Sequence, residues 1–140
     1  LECKDKGIII LCKTSNPGSD EFQNLYLSDD RPQDKKLLYQ IVAENVTNKW
    51  NSNKNCMLVV GATYPDELKQ VRKIMGDMTL LVPGIGTQGG DLEATLKAGL
   101  NSKKQGLIIN SSRSIIFAKN PREEVEKLRN NINKFIMIEN

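Results

Sequence analysis

The sequence predicts an α/β fold built around a parallel sheet, and three observations carry that reading. Short apolar runs alternate with longer stretches whose apolar residues recur at helical spacing. The short runs are aliphatic almost without interruption, as strands of a parallel sheet are when helices cover them. Proline and glycine punctuate the longer stretches where helices start and stop.

The first strand is Gly7-Ile8-Ile9-Ile10-Leu11-Cys12, a continuous apolar run expected to be covered on both faces. A polar loop follows, Lys13-Thr14-Ser15-Asn16-Pro17-Gly18-Ser19. Residues 20–32 are polar and match no periodic template, and Asp29-Asp30-Arg31-Pro32 reads as a turn. From Asp34 to about Trp50 the positions Leu37, Leu38, Ile41, Val42, Val46 and Trp50 predict a helix. Met57-Leu58-Val59-Val60-Gly61 is the second strand. Pro65 opens the next helix, with Leu68, Val71 and Ile74 on one face and Gly76 just past its end.

Thr79-Leu80-Leu81-Val82 is the third strand, running into a glycine-rich loop from Pro83 to Gly90. Asp91 is placed to cap a helix from Leu92 to Ala98, stopped by Gly99. Gly106-Leu107-Ile108-Ile109-Asn110 is the fourth strand. Beyond Ser111-Ser112-Arg113 and a short apolar turn, Pro121 opens a last helix with Val125, Leu128, Ile132 and Phe135 on one stripe. Four βα units in a row are half of a (β/α)8 TIM barrel. A half standing alone leaves two strand edges and an inner layer uncovered. Either a partner supplies four more strands, or the sheet is open and doubly wound. The opening on Leu1 rather than Met reads as part of a longer chain, with one domain over 1–140 and no separate second domain.

Composition narrows the function. The net charge of +3 comes from basic and acidic residues interleaved along the 140 residues, and aromatics make up 5%. A nucleic-acid partner would be signalled by a basic stripe with aromatics among it. No apolar run approaches the roughly 20 residues of a membrane span, and the first residues lack the pattern of a signal peptide. Cys3, Cys12 and Cys56 are widely spaced and odd in number, which predicts reduced core thiols in a cytoplasmic protein. The absence of histidine excludes Ser-His-Asp and Cys-His catalysis and His-ligated zinc within these residues.

The most informative stretch is Pro83-Gly84-Ile85-Gly86-Thr87-Gln88-Gly89-Gly90-Asp91. Glycines 84, 86, 89 and 90 between a strand and a helix let the backbone approach an anion, whose oxygens the loop amides can bind. The same letters satisfy the dinucleotide fingerprint, but no carboxylate ends the next strand and the motif sits in the third unit rather than the first. Arg113 lies just past the last strand, and a guanidinium suits phosphate in charge and geometry. If the four units are the last four of a barrel, these two loops are the ones that commonly hold phosphate. The hydroxyls of Thr14 and Ser15, at the end of the first strand, could bond a ligand's amide or carbonyl edge, or simply cap a turn. Lys13 has no carboxylate neighbour visible in the sequence and reads as a solvated or salt-bridged lysine.

Taken together, Lys13 to Ser19, Val60-Gly61-Ala62-Thr63-Tyr64-Pro65, Val82 to Asp91 and Ile109-Asn110-Ser111-Ser112-Arg113-Ser114-Ile115 resemble orotidine 5′-phosphate decarboxylase. The likeness is to the branch found in many bacteria and some protozoa, and it covers most of the chain apart from residues 20–50. It implies the C-terminal four βα units, strands five to eight, of a (β/α)8 barrel. That enzyme converts orotidine 5′-monophosphate to uridine 5′-monophosphate (UMP) with no metal or organic cofactor. By the same resemblance Ser15 bonds the pyrimidine edge and helps hold the phosphate lid, and Gln88 bridges that serine and the phosphate. Arg113, with the Ser112 and Arg113 amides, grips the phosphate, while Pro83 and Ile85 line the pyrimidine side.

The family's aspartate–lysine–aspartate array sits in a D-x-K-x-x-D motif, and a further aspartate comes from the dimer partner. Neither Asp5-Lys6-Gly7 nor Asp34-Lys35-Lys36 supplies the motif, so no residue here inherits a catalytic role. The expectation is a chain inactive alone and active when completed by the N-terminal half, as a homodimer, possibly with orotate phosphoribosyltransferase. A related sugar-phosphate decarboxylase-like barrel, and a non-catalytic phosphate-binding half-barrel or assembly module, are the competing readings.

Overall fold

Aliphatic runs too short for helices form one parallel sheet, and the amphipathic stretches between them form helices that pack on it. The computed structural model describes residues 4–27, 35–86 and 90–138. Strand β1 is Ile8–Lys13. After a tight turn over Pro17–Ser19 comes the short helix α1, Asp20–Gln23. Strands β2 (Tyr26–Leu27) and β3 (Lys36–Leu37) pair antiparallel, ahead of helix α2, Leu38–Asn45. Then follow β4 (Cys56–Val60), α3 (Pro65–Met75), β5 (Leu80–Pro83), α4 (Leu92–Gly99) and β6 (Leu107–Asn110). The four-residue α5 (Arg113–Ile116) and the long α6 (Pro121–Ile138) complete the order.

The main sheet has the order β1-β4-β5-β6, with every neighbouring pair parallel. Register sorts its side chains into two layers. Ile8, Ile10, Leu58, Leu80, Val82, Leu107 and Ile109 fall on one side, and Leu58, Leu80 and Val82 are fully buried in the core with Tyr39, Val46, Leu68 and Val71. On the other side Ile9, Leu11 and Ile108 are exposed, Leu11 to 66%. The apolar run over residues 7–12 is expected from sequence to be covered on both faces. Helices cover only one, and no element among the described residues lies over the other.

Two further departures have local causes. The expected helix from Asp34 to Trp50 is shorter: Leu37 is held in a strand pair with Tyr26, and its N–H donates to Gln40 Oε1 at 3.0 Å, so α2 starts at Leu38. Its last turn, Val46–Trp50, widens to π geometry. The stretch 20–27, which fits no sequence template, is α1 and β2; residues 28–34 lie outside the described residues. Asp91 caps α4 as expected, accepting the Ala94 N–H at 3.0 Å. The α6 stripe is only half-buried, with Val125 exposed. No helix among the described residues is long and apolar enough to cross a membrane.

Candidate functional site

In a parallel sheet every strand ends at the same edge, so the loops that follow β1, β4, β5 and β6 are neighbours there. Backbone hydrogen bonds stitch them together: Gly61 N–H donates to Lys13 O at 2.7 Å and Ala62 N–H to Pro83 O at 2.8 Å. The sequence motifs singled out for chemistry all lie on this edge.

The glycine-rich loop after β5 closes at its base. Gly90 N–H donates to Gly84 O at 3.2 Å, and Ile85 and Gly90 form an isolated parallel bridge. Gly84 and Gly86 have φ of 102° and 87°, a region that side chains rarely adopt. At Gly90 a Cβ would sit 2.6 Å from both Ala62 Cβ and Gly84 O, so no larger residue fits. Thr87, Gln88 and Gly89 lie outside the described residues.

The loop after β6 packs directly on this one. Ser111 Oγ donates to Ile85 O at 3.1 Å, which leaves Ser114 Oγ to donate to Ser111 Oγ at 2.6 Å. Gly86 lies against Ser114, close enough that a Cβ there would be 3.3 Å from its Oγ. Ser112 Oγ donates to Asn110 Oδ1 at 2.9 Å, and its carbonyl accepts the Ile115 and Ile116 N–H groups. Arg113 is exposed and makes no ion pair among the described residues. The two loops expected to bind phosphate are thus bonded to each other, with an uncommitted guanidinium at their rim. Pro83 is half-buried beside them, and Ile85 is buried in the core cluster.

At the β1 end the Thr14 hydroxyl is engaged within its loop. It donates to Asn16 Oδ1 at 2.7 Å and accepts from Gln23 Nε2 at 3.0 Å. The Thr14 N–H donates to Gln23 Oε1 at 2.9 Å. Ser15 is half-buried, and its carbonyl accepts from Thr63 Oγ1 at 3.5 Å.

Of the two readings given for Lys13, the structure shows the salt-bridged one. The residue is fully buried rather than solvated, and its carboxylate neighbour, not visible in the sequence, is Asp20: Nζ donates to Asp20 Oδ1 at 2.5 Å and to Ser19 Oγ at 3.1 Å. Its ammonium lies 4.3 Å from the centre of the Tyr64 ring. The Pro17–Ser19 turn folds Asp20 back on the strand end, seven residues after the lysine. Sequence reasoning also passed over Ser111, Ser114 and Tyr64, although each stands inside a motif it had singled out. Cys12 and Cys56 are buried core thiols, as expected; burial pushes the Cys12 thiol up to about 12. Cys3 lies outside the described residues.

Comparison with known proteins identifies the group to which this edge belongs. A decarboxylase of Janthinobacterium sp. (strain Marseille), named orotidine 5′-phosphate decarboxylase, is 54% identical over 119 residues, 85% of this chain and 42% of that protein. The enzyme of the same name from Bordetella avium is 55% identical over 119 residues, 84% of this chain and 42% of its own length. The chain therefore spans less than half the length of these curated relatives. Among solved structures, the OMP decarboxylase of Leishmania donovani superposes with a TM-score of 0.85 at 40% identity, over 96% of this chain and 50% of that one. The UMP synthase of the same organism gives 0.87 at 44% identity, over 94% of this chain and 28% of that one. Residues 1–128 match the profile of the orotidine 5′-phosphate decarboxylase / HUMPS family, and the chain belongs to that family.

Proposed function

We propose that this chain supplies the phosphate and pyrimidine-edge half of an orotidine 5′-phosphate decarboxylase barrel, which converts orotidine 5′-monophosphate to UMP. The observation that carries the reading is the pairing of the loops after β5 and β6. They are joined through Ser111, Ile85 and Ser114, and they offer Arg113, which makes no ion pair among the described residues. In this reading the four parallel strands are strands five to eight of the barrel, forming one domain. The exposed layer of Ile9, Leu11 and Ile108 is the surface that the other four strands cover.

The division of labour follows from the residues. The sequence contains no D-x-K-x-x-D, so the charged array that expels carbon dioxide comes from the completing half. Phosphate contacts far from the reacting carbon lower the barrier only when that array is present to use them. The chain alone is thus a binding unit. In this reading the working enzyme is a cytoplasmic homodimer in de novo pyrimidine biosynthesis, with orotate phosphoribosyltransferase as a candidate associate.

Within the site, Arg113, the Ser112 and Arg113 amides and the loop carrying Gly84, Gly86, Gly89 and Gly90 take the phosphate, with the Gly86 and Gly90 N–H groups closing the loop on itself. Gln88 spans from phosphate to Ser15, while Thr14, Ser15, Pro83 and Ile85 face the pyrimidine. Calorimetry with Arg113→Ala tests this. Loss of a charge-assisted contact should weaken UMP binding by about 2 kcal/mol, roughly thirtyfold, and leave uridine unchanged. Equal losses for nucleotide and nucleoside would sink the assignment.

A further inference from the structure

We propose that Lys13 is a positioning residue. Its buried ammonium, held by Ser19 and Asp20 above the Tyr64 ring, sets the backbone of Thr14-Ser15-Asn16 that faces the pyrimidine edge. The inference rests on the reading of that loop given above and deepens it.

The hydrogen bonds run in one direction. An ammonium can only donate and a carbonyl can only accept. Lys13 Nζ donates to Ser19 Oγ at 3.1 Å, Ser19 Oγ donates to Tyr64 Oη at 3.2 Å, and Tyr64 Oη donates to Asn16 O at 3.4 Å. A relay that starts on a buried cation therefore ends on the loop's own backbone. Each donor polarises the next, so the last contact depends on the first. Asp20 holds the cation in place, and the ring face of Tyr64 stabilises it from the other side.

The other loop positions are clamped independently of Lys13. Gln23 holds Thr14 through its N–H and hydroxyl. Ser15 is pressed against Gly61, where a Cβ would lie 2.7 Å from Ser15 Cβ. The register between β1 and β4 shifts between Leu11 and Lys13, and the turn of the chain begins there. Without the lysine, the Pro17–Ser19 turn loses its side-chain tie to the strand end, and α1 keeps only the Gln23 bonds to Thr14. Asn16 then keeps its bonds from Ser19 N–H and Thr14 Oγ1 but loses the relay that fixes its carbonyl from the Tyr64 side. A loop misplaced by a fraction of an ångström loses its contact with a rigid ring without losing the phosphate, which other loops hold.

The test compares two ligands on the complete assembly that contains this chain. UMP uses both loop sets, while ribose 5-phosphate uses the phosphate loops alone. Lys13→Met should weaken UMP by about tenfold or more and leave ribose 5-phosphate unchanged. Tyr64→Phe keeps the ring and removes the relay; it should weaken UMP by about threefold. Asp20→Glu, which keeps a carboxylate for the ammonium, should bind UMP more tightly than Asp20→Asn. In turnover, Lys13→Met should lower kcat as well as raise KM for orotidine 5′-monophosphate, since orientation is used in the transition state.

A purely structural lysine predicts equal losses for both ligands. That result, or unchanged UMP affinity in both Lys13→Met and Tyr64→Phe, overturns the proposal while leaving the decarboxylase reading intact. An unsubstituted protein that binds ribose 5-phosphate as tightly as UMP overturns the pyrimidine reading of the loop, and this inference with it.

Discussion

Arg72 should be among the most costly residues to replace, although it stands nowhere near the candidate site. It is 9% exposed, and its guanidinium donates to four backbone carbonyls. Nε reaches Gly99 O at 2.7 Å, Nη1 reaches Gly76 O at 2.8 Å and Met78 O at 2.5 Å, and Nη2 reaches Gly106 O at 3.0 Å. Those carbonyls belong to the ends of α3 and α4 and to the segments entering β5 and β6. One side chain thus ties two helix C-termini to two strand starts, and burial lowers its pKa, with Asp77 acting in the opposite direction.

Arg72→Met keeps most of the aliphatic stem and removes every donor. A hydrogen bond from a charged group contributes about 1.5–3 kcal/mol. Since some of the freed carbonyls will find water, the net loss should be about 3–5 kcal/mol rather than the sum of four bonds. Arg72→Lys keeps the charge, but three donors on one nitrogen cannot match four carbonyls spread around a planar fork. It should lose about 2 kcal/mol or more. Urea unfolding with an unchanged slope is the assay. If Arg72→Met shifts stability by less than about 1 kcal/mol, or Lys restores the full value, the four-carbonyl account is wrong.

Three shorter predictions concern β1 and the strand beside it. With Cys12 raised to about 12 against an ordinary 9.0, the unfolded chain releases this proton at lower pH than the folded one. Stability from this group is therefore complete below about pH 9 and is lost as pH rises towards 12, by on the order of 4 kcal/mol. Alkylation at pH 8 read by peptide mass spectrometry should spare Cys12 and Cys56 until denaturant is added; rapid labelling of Cys12 in the folded protein would contradict its burial. Leu11→Asp tests the exposed sheet layer, since Leu11 is 66% exposed in this chain. It should change the chain's own stability by no more than about 0.5 kcal/mol yet abolish assembly with a polypeptide carrying the other four strands. Unimpaired assembly would mean that this layer is not the one covered.

The main sheet was legible because parallel strands and their helices leave strong local marks. The four aliphatic runs, Pro65 and Pro121 at helix starts and Asp91 at its cap all act within a few residues of themselves. The glycine-rich loop after β5 and the Ser-Ser-Arg turn after β6 were legible as loops for the same reason. What stayed hidden depends on contacts between distant segments. The β2–β3 pair has only two residues per strand and no alternation to read. Sequence leaves Lys13 as either solvated or salt-bridged because its carboxylate is delivered by a turn, and because Tyr64 lies on another loop. One long-range role did leave a trace. Leu68, Val71, Arg72 and Met75 fall on the buried stripe of α3, so a guanidinium stands where periodicity demands an apolar residue. A charge in that phase needs partners in the core, and the only acceptors abundant there are backbone carbonyls.

The two arginines at opposite ends of the sheet show why the same side chain serves stability in one place and recognition in the other. Arg72 meets acceptors supplied by the fold itself, so its donors are engaged before any ligand arrives. Arg113 follows a strand end at which the carbonyls of Pro83, Ile85 and Ser112 already accept from the fold's own N–H and hydroxyl groups. Its exposed guanidinium makes no ion pair among the described residues, and in the proposed reading its donors serve an anion brought from solution. The serines beneath it matter for this reason. By engaging Ile85 O and each other, Ser111 and Ser114 hold the two loops together without using the arginine. In the proposed reading the two loops are joined before any ligand arrives, which is the condition under which phosphate binding costs little reorganisation.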